Sequence, residues 1–190
     1  MQKTKNIILL SIAGALLAGM LGTSCKKDSA PHYGIPTITR IAQPLDSASI
    51  TSGSFTQWVI IYGTNLASAQ SVSFNDQEVP YKTMYATDTA VTVQIPRAIP
   101  KDVTNTVTVV TKGGTATFQF TTEIPAFQLT GFLNEYTPVG DTLTITGANF
   151  DLYGLDTTAT VVTFTGGAAA NVVDGTAATL RVVVPASAQP

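Results

Sequence analysis

The chain is 190 residues long and carries 10 Lys+Arg against 12 Asp+Glu; setting aside Lys3 and Lys5 leaves 8 against 12, a side-chain charge of −4. That balance provides no basic stripe, so nucleic-acid binding has no electrostatic basis. A single cysteine excludes an intramolecular disulfide framework and leaves packed apolar cores as the source of stability.

The N-terminus comes first. Lys3 and Lys5 precede an apolar run over residues 7–21, broken only by Ser11 and small residues. Its 15 residues suit the apolar region of a cleavable signal peptide and are too few to span a bilayer comfortably. The run ends in LGTSC, residues 21–25, where small side chains lead directly into a cysteine. A signal peptidase needs small residues before its cut, and bacterial lipoproteins place a cysteine immediately after it. The pattern predicts a signal peptide over residues 1–24, lipidation of the Cys25 thiol, and a tether over residues 25–35. Gly22 stands where Leu is usual, a looseness that, with the flanking CKKD, resembles Bacteroidetes lipoproteins.

Beyond the tether, Thr, Val, Ala and Gly dominate, a β-branched and Gly-punctuated composition that suits short strands. About 165 mature residues allow one large domain or two of sandwich size. An internal repeat decides for two. With Pro36 set beside Pro125, VIIYGTNL (59–66) falls against LTITGANF (143–150), SVSF (71–74) against VVTF (161–164), and VTVQIP (91–96) against LRVVVP (180–185). The offset is 89 at the prolines, 84 at Gly63/Gly147, 90 at Phe74/Phe164 and 89 at Pro96/Pro185. The change from 84 to 90 reflects an insertion around DLYGLDTT, residues 151–158. Strands of constant length between variable loops mark a duplicated β domain.

Within the first copy, Val59 and Ile61 alternate inward before the turn Gly63-Thr64-Asn65. Gly63 and Asn65 tolerate positive φ, so the turn itself is their simplest role. Val91, Val93 and Ile95 make a second inward stripe ended by Pro96. Val107 and Val109 then lead through Gly113-Gly114 into Ala116, Phe118 and Phe120, a closing hairpin. No mature segment sustains helical periodicity.

Pro-x-Ile, a Gly-x-Asn-Leu turn, Val-x-Phe, Val-x-Ile-Pro and a closing hairpin together resemble an IPT/TIG domain, which implies tandem immunoglobulin-like β-sandwiches at residues 36–122 and 123–190. The opening of the second copy, GFLNEYTPVGDTLTITGANF (131–150), resembles the tandem IPT region of Bacteroidetes surface glycan-binding lipoproteins of the SusE/SusF-like, SGBP-B type. That resemblance implies polysaccharide as the partner and a neighbouring SusC/SusD-type transporter. It also implies a glycan site on a further C-terminal domain, so none of the family's binding residues transfers to this sequence. The first copy continues for 26 residues after Pro96 and the second for 5 after Pro185, which leads to the expectation that the second domain is C-terminally incomplete.

Residues able to do chemistry are few. His32, the sole histidine, sits in the tether, where nothing holds it against a serine as a catalytic triad requires. With Cys25 lipidated, no Cys/His cluster exists for zinc, and no Gly-rich phosphate loop opens a helix. Asp151 and Asp156 on the inserted loop have the chemistry for calcium, but solvated loop acids are the simpler reading. The expectation is therefore no enzyme activity, no metal and no cofactor. One feature exceeds a plain sandwich. On the strand before Gly63 the outward positions are Trp58, Ile60 and Tyr62, whereas the second copy has Thr142, Thr144 and Thr146. Apolar aromatic surface at three alternate positions predicts a contact face, for a joint, a protein or a sugar ring, with Tyr81 and Tyr85 as neighbours.

These readings leave two function classes. One is a lipid-anchored outer-membrane protein, exposed at the cell surface, that captures polysaccharide without catalysis, its IPT domains serving as spacer and docking modules. The other is an adhesion or scaffold protein using IPT domains for protein contacts.

Overall fold

The computed structural model describes residues 32–188. The expected signal peptide over residues 1–24 and the expected lipidation at Cys25 lie outside them.

The first copy is built from ten strands: β1 (Thr37–Ala42), β2 (Ser52–Ser54), β3 (Trp58–Thr64), β4 (Ala69–Phe74), β5 (Gln77–Glu78), β6 (Met84–Ala86), β7 (Ala90–Gln94), β8 (Thr106–Thr111), β9 (Gly114–Gln119) and β10 (Thr121–Glu123). Alternation with period two makes each a half-buried strand. In β8, Val107 and Val109 are buried and the threonines before and between them face outward. The strands form two four-stranded sheets, β1-β3-β7-β6 and β5-β4-β8-β9, with a short parallel pair β10-β2 beside them. Between the sheets lie Ile41, Val59, Ile61, Leu66, Val72, Phe74, Val91, Val93, Ile95, Val107, Val109 and Phe120. Each such side chain contributes roughly 1.5–3 kcal/mol relative to exposure. Phe74 and Phe120 meet edge to face at 5.6 Å.

The second copy contains β11 (Gln128–Phe132), β12 (Thr142–Ala148), β13 (Val161–Thr163), β14 (Ala169–Gly175) and β15 (Thr179–Val183), in one sheet of order β11-β12-β15-β14-β13. Its core is smaller, built on Ile145, Phe150, Val172, Leu180 and Val182. The counterparts of Val59, Phe74 and Ile95 are Leu143, Phe164 and Val184. These line an open cavity of about 410 Å³. In the first copy, Phe74 meets the Phe120 ring edge to face, and Ile95 and Phe120 both close on Gly53. Among the described residues the second copy has no counterpart of that ring.

The pairing register corrects the repeat at its opening. Thr37 pairs with Thr64 and Gln128 with Ala148, so the opening strands match at an offset of 91 rather than the 89 of the prolines. Proline does not set register. A bulge shared by both copies does: the ladder slips between Ile38 and Arg40 in β1 and between Leu129 and Gly131 in β11.

The turn chemistry is corrected too. Asn65 and Asn149 adopt φ of 57° and 62°, as expected for left-handed turn residues. Their side-chain amides donate to the carbonyls of Ile35 and Ala126, which fixes the chain entering each copy. Gly63, by contrast, keeps strand geometry within β3. It is needed for close approach: a Cβ there would lie 1.8 Å from the Thr37 carbonyl oxygen, and one at Gly147 would lie 2.1 Å from that of Gln128.

Residues 33 and 34, within the expected tether, touch the first domain. Tyr33 lies beneath the Lys112 ammonium, and Gly113 packs so closely on the Gly34 carbonyl that a Cβ would lie 2.0 Å away. Among the described residues, helix is confined to two short 3₁₀ turns, Tyr81–Thr83 and Asp151–Tyr153. No helix among them is long and apolar enough to cross a membrane.

Candidate functional site

β3 runs through the middle of its sheet, between β1 and β7, and its burial alternates along the strand. Val59 and Ile61 enter the core, so Trp58, Ile60 and Tyr62 emerge on the outer face, as the alternation requires. The register then supplies neighbours. Trp58 stands opposite Gln94, Ile60 opposite Thr92 and Tyr62 opposite Ala90. One strand further out, Tyr85 stands opposite Thr92.

Trp58 and Tyr85 lean towards each other across β7. Their ring centroids are 6.4 Å apart with 34° between the planes, a shallow V rather than a stack. Trp58 is 38% and Tyr85 65% exposed. Thr92 and Gln94 lie between the strands that carry the rings, and the Gln94 amide donates to the Thr56 carbonyl at 2.8 Å. Tyr62 is not open in the same way. The Arg40 guanidinium sits 3.8 Å above its ring and donates to the Ser47 carbonyl at 3.0 Å. Ile60 is half-buried in the strip between them.

The expected strip Trp58–Ile60–Tyr62 thus divides. Arg40 caps its Tyr62 end, while its Trp58 end joins Tyr85 to form the accessible platform. Tyr81, on the neighbouring 3₁₀ turn, is 78% exposed.

The same face of the second copy is chemically different. Thr142, Thr144 and Thr146 replace Trp58, Ile60 and Tyr62. Asp174 and Arg181 stand where the first copy has Tyr85 and Thr92, 3.6 Å apart as an exposed ion pair. The β3–β7 and β12–β15 pairings are alike, apart from a bulge between Val172 and Asp174 that β6 lacks, so the aromatic row on β3 is a property of the first sequence and not of the fold. Such a platform can stack an aliphatic C–H face or an apolar side chain, and it carries a phenol and an indole N–H at its rim.

The remaining candidates fall elsewhere. His32 is exposed, at the start of the described residues. Asp151, expected to be a solvated loop acid, is instead held by the Arg97 guanidinium in a two-point hydrogen-bonded pair. That pairing holds the Asp151 carboxyl below the usual carboxylate range. Asp156 is half-buried beside Gly175. Among the described residues no three His, Cys, Asp or Glu side chains gather as a metal site.

The family model for the IPT/TIG domain matches residues 36–122 and 130–189. An "IPT/TIG domain-containing protein" of Bacteroides ovatus is 25% identical over 150 residues, covering 74% of this chain and 30% of that one. Among solved structures, the surface glycan-binding protein PbSGBP-B from Prevotella bryantii aligns over 82% of this chain and 37% of its own, at 22% identity and a TM-score of 0.46. The SGBP-B of a Bacteroides ovatus mixed-linkage glucan utilization locus, solved with a mixed-linkage heptasaccharide, aligns over 82% and 37%, at 14% identity and a TM-score of 0.32. The chain therefore spans between 30% and 37% of the length of these relatives.

Proposed function

The chain belongs to the IPT/TIG domain family, and on that premise we propose that it forms the anchor-side portion of a non-catalytic, cell-surface polysaccharide-binding lipoprotein. Diacylglycerol on Cys25 holds it at the outer membrane, two or three acyl chains giving firm retention where one holds only marginally. The two immunoglobulin-like domains then act as spacer and docking modules. They carry a distal glycan-binding domain away from the membrane and present the Trp58–Tyr85 face to a partner such as a SusC/SusD-type transporter. Captured polysaccharide is concentrated locally for uptake, and no bond is made or broken.

The observation that carries this reading is the contrast between two copies of one fold. One outer face is an ordinary Thr and ion-pair surface, and the other holds two exposed aromatic rings in a shallow V. A platform of that kind supports docking more readily than high-affinity sugar capture. One stacked pyranose ring contributes on the order of 1 kcal/mol, which falls well short of the roughly 4 kcal/mol that even millimolar binding requires.

Affinity electrophoresis of residues 25–190 against xyloglucan, mixed-linkage glucan and host glycans tests the proposal. The expected result is little or no retardation. Clear retardation abolished by Trp58→Ala or Tyr85→Ala would move the glycan site into the first domain and overturn the spacer role. Retention of the chain by other surface proteins, lost on the same substitutions and without any glycan dependence in the longer polypeptide, would favour the adhesion or scaffold reading.

A further inference from the structure

The insertion that breaks the repeat, residues 151–158, begins at the junction between the two domains. Asp151 opens the 3₁₀ turn Asp151–Tyr153, and its carboxylate receives both arms of the Arg97 guanidinium, Nη1 to Oδ2 and Nη2 to Oδ1, the latter at 3.0 Å. Arg97 follows Pro96 at the end of β7, so this pair joins the first domain directly to the second. Two residues on, the Tyr153 hydroxyl donates to the Pro125 carbonyl at 3.0 Å, and its ring meets Phe127 edge to face at 5.5 Å. Asn149 donates to the Ala126 carbonyl at 3.0 Å.

The first domain grips the connecting segment from its own side. Thr121–Glu123 pairs in parallel with Ser52–Ser54. The Glu123 carboxylate accepts from the hydroxyls of Ser52 at 2.7 Å and Ser54 at 2.8 Å. Glu123 is thus tied to one domain, Pro125 and Ala126 to the other, with Ile124 between the two anchorages. A cleft of about 350 Å³ remains at the junction, bordered by Phe55, Arg97, Glu123, Asn149 and Leu152. Arg97, Glu123 and Asn149 spend their hydrogen bonds on the junction's own groups, so the cleft's chemistry is that of a joint.

We propose that the insertion is a latch that locks the two domains into one rigid elbow, with the Arg97–Asp151 pair as its closing contact. Domains joined by a short linker move relative to one another unless their interface restrains them, and a fork-to-fork Arg–carboxylate pair fixes orientation as well as distance. Neither partner of the pair recurs in the other copy. Ala67 follows Leu66 where Asp151 follows Phe150, and Ala186 follows Pro185 where Arg97 follows Pro96. The inference stands independently of what the protein binds.

Double electron–electron resonance measures it. Spin labels are placed through Lys82→Cys in the first domain and Glu135→Cys in the second, in the mature chain carrying Cys25→Ser. The unsubstituted joint should give one narrow distance distribution. Asp151→Ala should broaden it about twofold or more, as unrestrained domains do. Arg97→Ala should do the same, while Asp151→Glu keeps a carboxylate and retains most of the narrowness. Unchanged thermal unfolding of the first domain shows that broadening comes from the joint. If Asp151→Ala destabilises the second domain, Arg97→Ala, which lies in the first, decides alone. A distribution equally narrow without the pair, or equally broad with it, overturns the latch.

Discussion

Removing the Phe120 ring is the most informative perturbation of the first domain. Phe120 is 1% exposed and lies just beyond the closing hairpin, against Phe74 and close to Ile95. Truncation to Ala deletes a fully buried ring and leaves a cavity that strands on both sides prevent from collapsing. Such changes cost about 3–5 kcal/mol, a large share of the roughly 5–15 kcal/mol available to a domain. At about 4–8 °C per kcal/mol for a domain of this size, the first unfolding transition should fall by about 12 °C or more. The duplication supplies an internal control. Phe74 and Phe164 occupy the same place in the two copies, but Phe74 is buried and Phe164 half-buried beside the open cavity. Phe74→Ala should therefore cost about 3–5 kcal/mol, and Phe164→Ala about half as much or less. Urea unfolding of the mature Cys25→Ser chain, followed by fluorescence and circular dichroism, measures all three. A cost for Phe120→Ala below about 1 kcal/mol, or equal costs at Phe74 and Phe164, would refute the asymmetry between the two cores.

Four further outcomes follow from single residues. Asn75 adopts φ of 55°, and its side-chain carbonyl accepts from the backbone N–H groups of Thr104 at 3.0 Å and Asn105 at 2.8 Å. Asn75→Ala should cost about 2–4 kcal/mol in urea unfolding, whereas Asn75→Asp keeps most of the stability. The Thr122 hydroxyl is buried without a partner among the described residues, so Thr122→Val should stabilise the chain by about 1 kcal/mol, seen as a higher urea midpoint. The carboxyls of Asp151 and Glu123 titrate below their ordinary 3.8 and 4.5, because Arg97 pairs with the first and two serine hydroxyls bond the second. The folded chain thus binds fewer protons there than the unfolded one. Their stabilisation is complete above the ordinary values and is lost as pH falls through the lower folded values, so Asp151→Asn should flatten the acid limb of a stability–pH curve. Finally, a fatty-acid analogue fed to expressing cells should label the wild-type chain and not Cys25→Ala, and equal labelling of both would remove the anchor.

Sequence alone exposed the inward stripes of β3, β7 and β8, because a period of two is a local signal that one-sided burial enforces. Val59, Ile61, Val91, Val93, Val107 and Val109 are all buried as their alternation requires. What escaped depends on pairing between distant segments. The opening strands were aligned by proline, whereas the bulge at Thr39 and Thr130 and the contact of Gly63 on Thr37 fix the register. Gly63 carries no mark distinguishing close approach from a left-handed turn. The Trp58 face was legible as an outward row, but its division was not. Arg40 capping Tyr62 needs the β1–β3 register, and Tyr85 joining Trp58 needs a strand two places away. The Arg97–Asp151 pair lies 54 residues apart between two loops, where composition gives no hint of proximity.

The equivalence of the two outer faces makes that panel of residues transplantable. Trp58, Ile60, Tyr62 and Tyr85 stand outside the core, and so do Thr142, Thr144, Thr146 and Asp174 at the matching register positions. Exchanging side chains that only face outward usually changes stability by about 0.5 kcal/mol or less. Duplication has therefore left on β12 a second mounting for the Trp58, Ile60 and Tyr62 side chains that needs no redesign of a core, while a ring placed at Asp174 would sit beside the bulge between Val172 and Asp174. Two weak contacts on one body would act together, since the second binds at the high effective concentration set by the first, and avidity would then replace affinity.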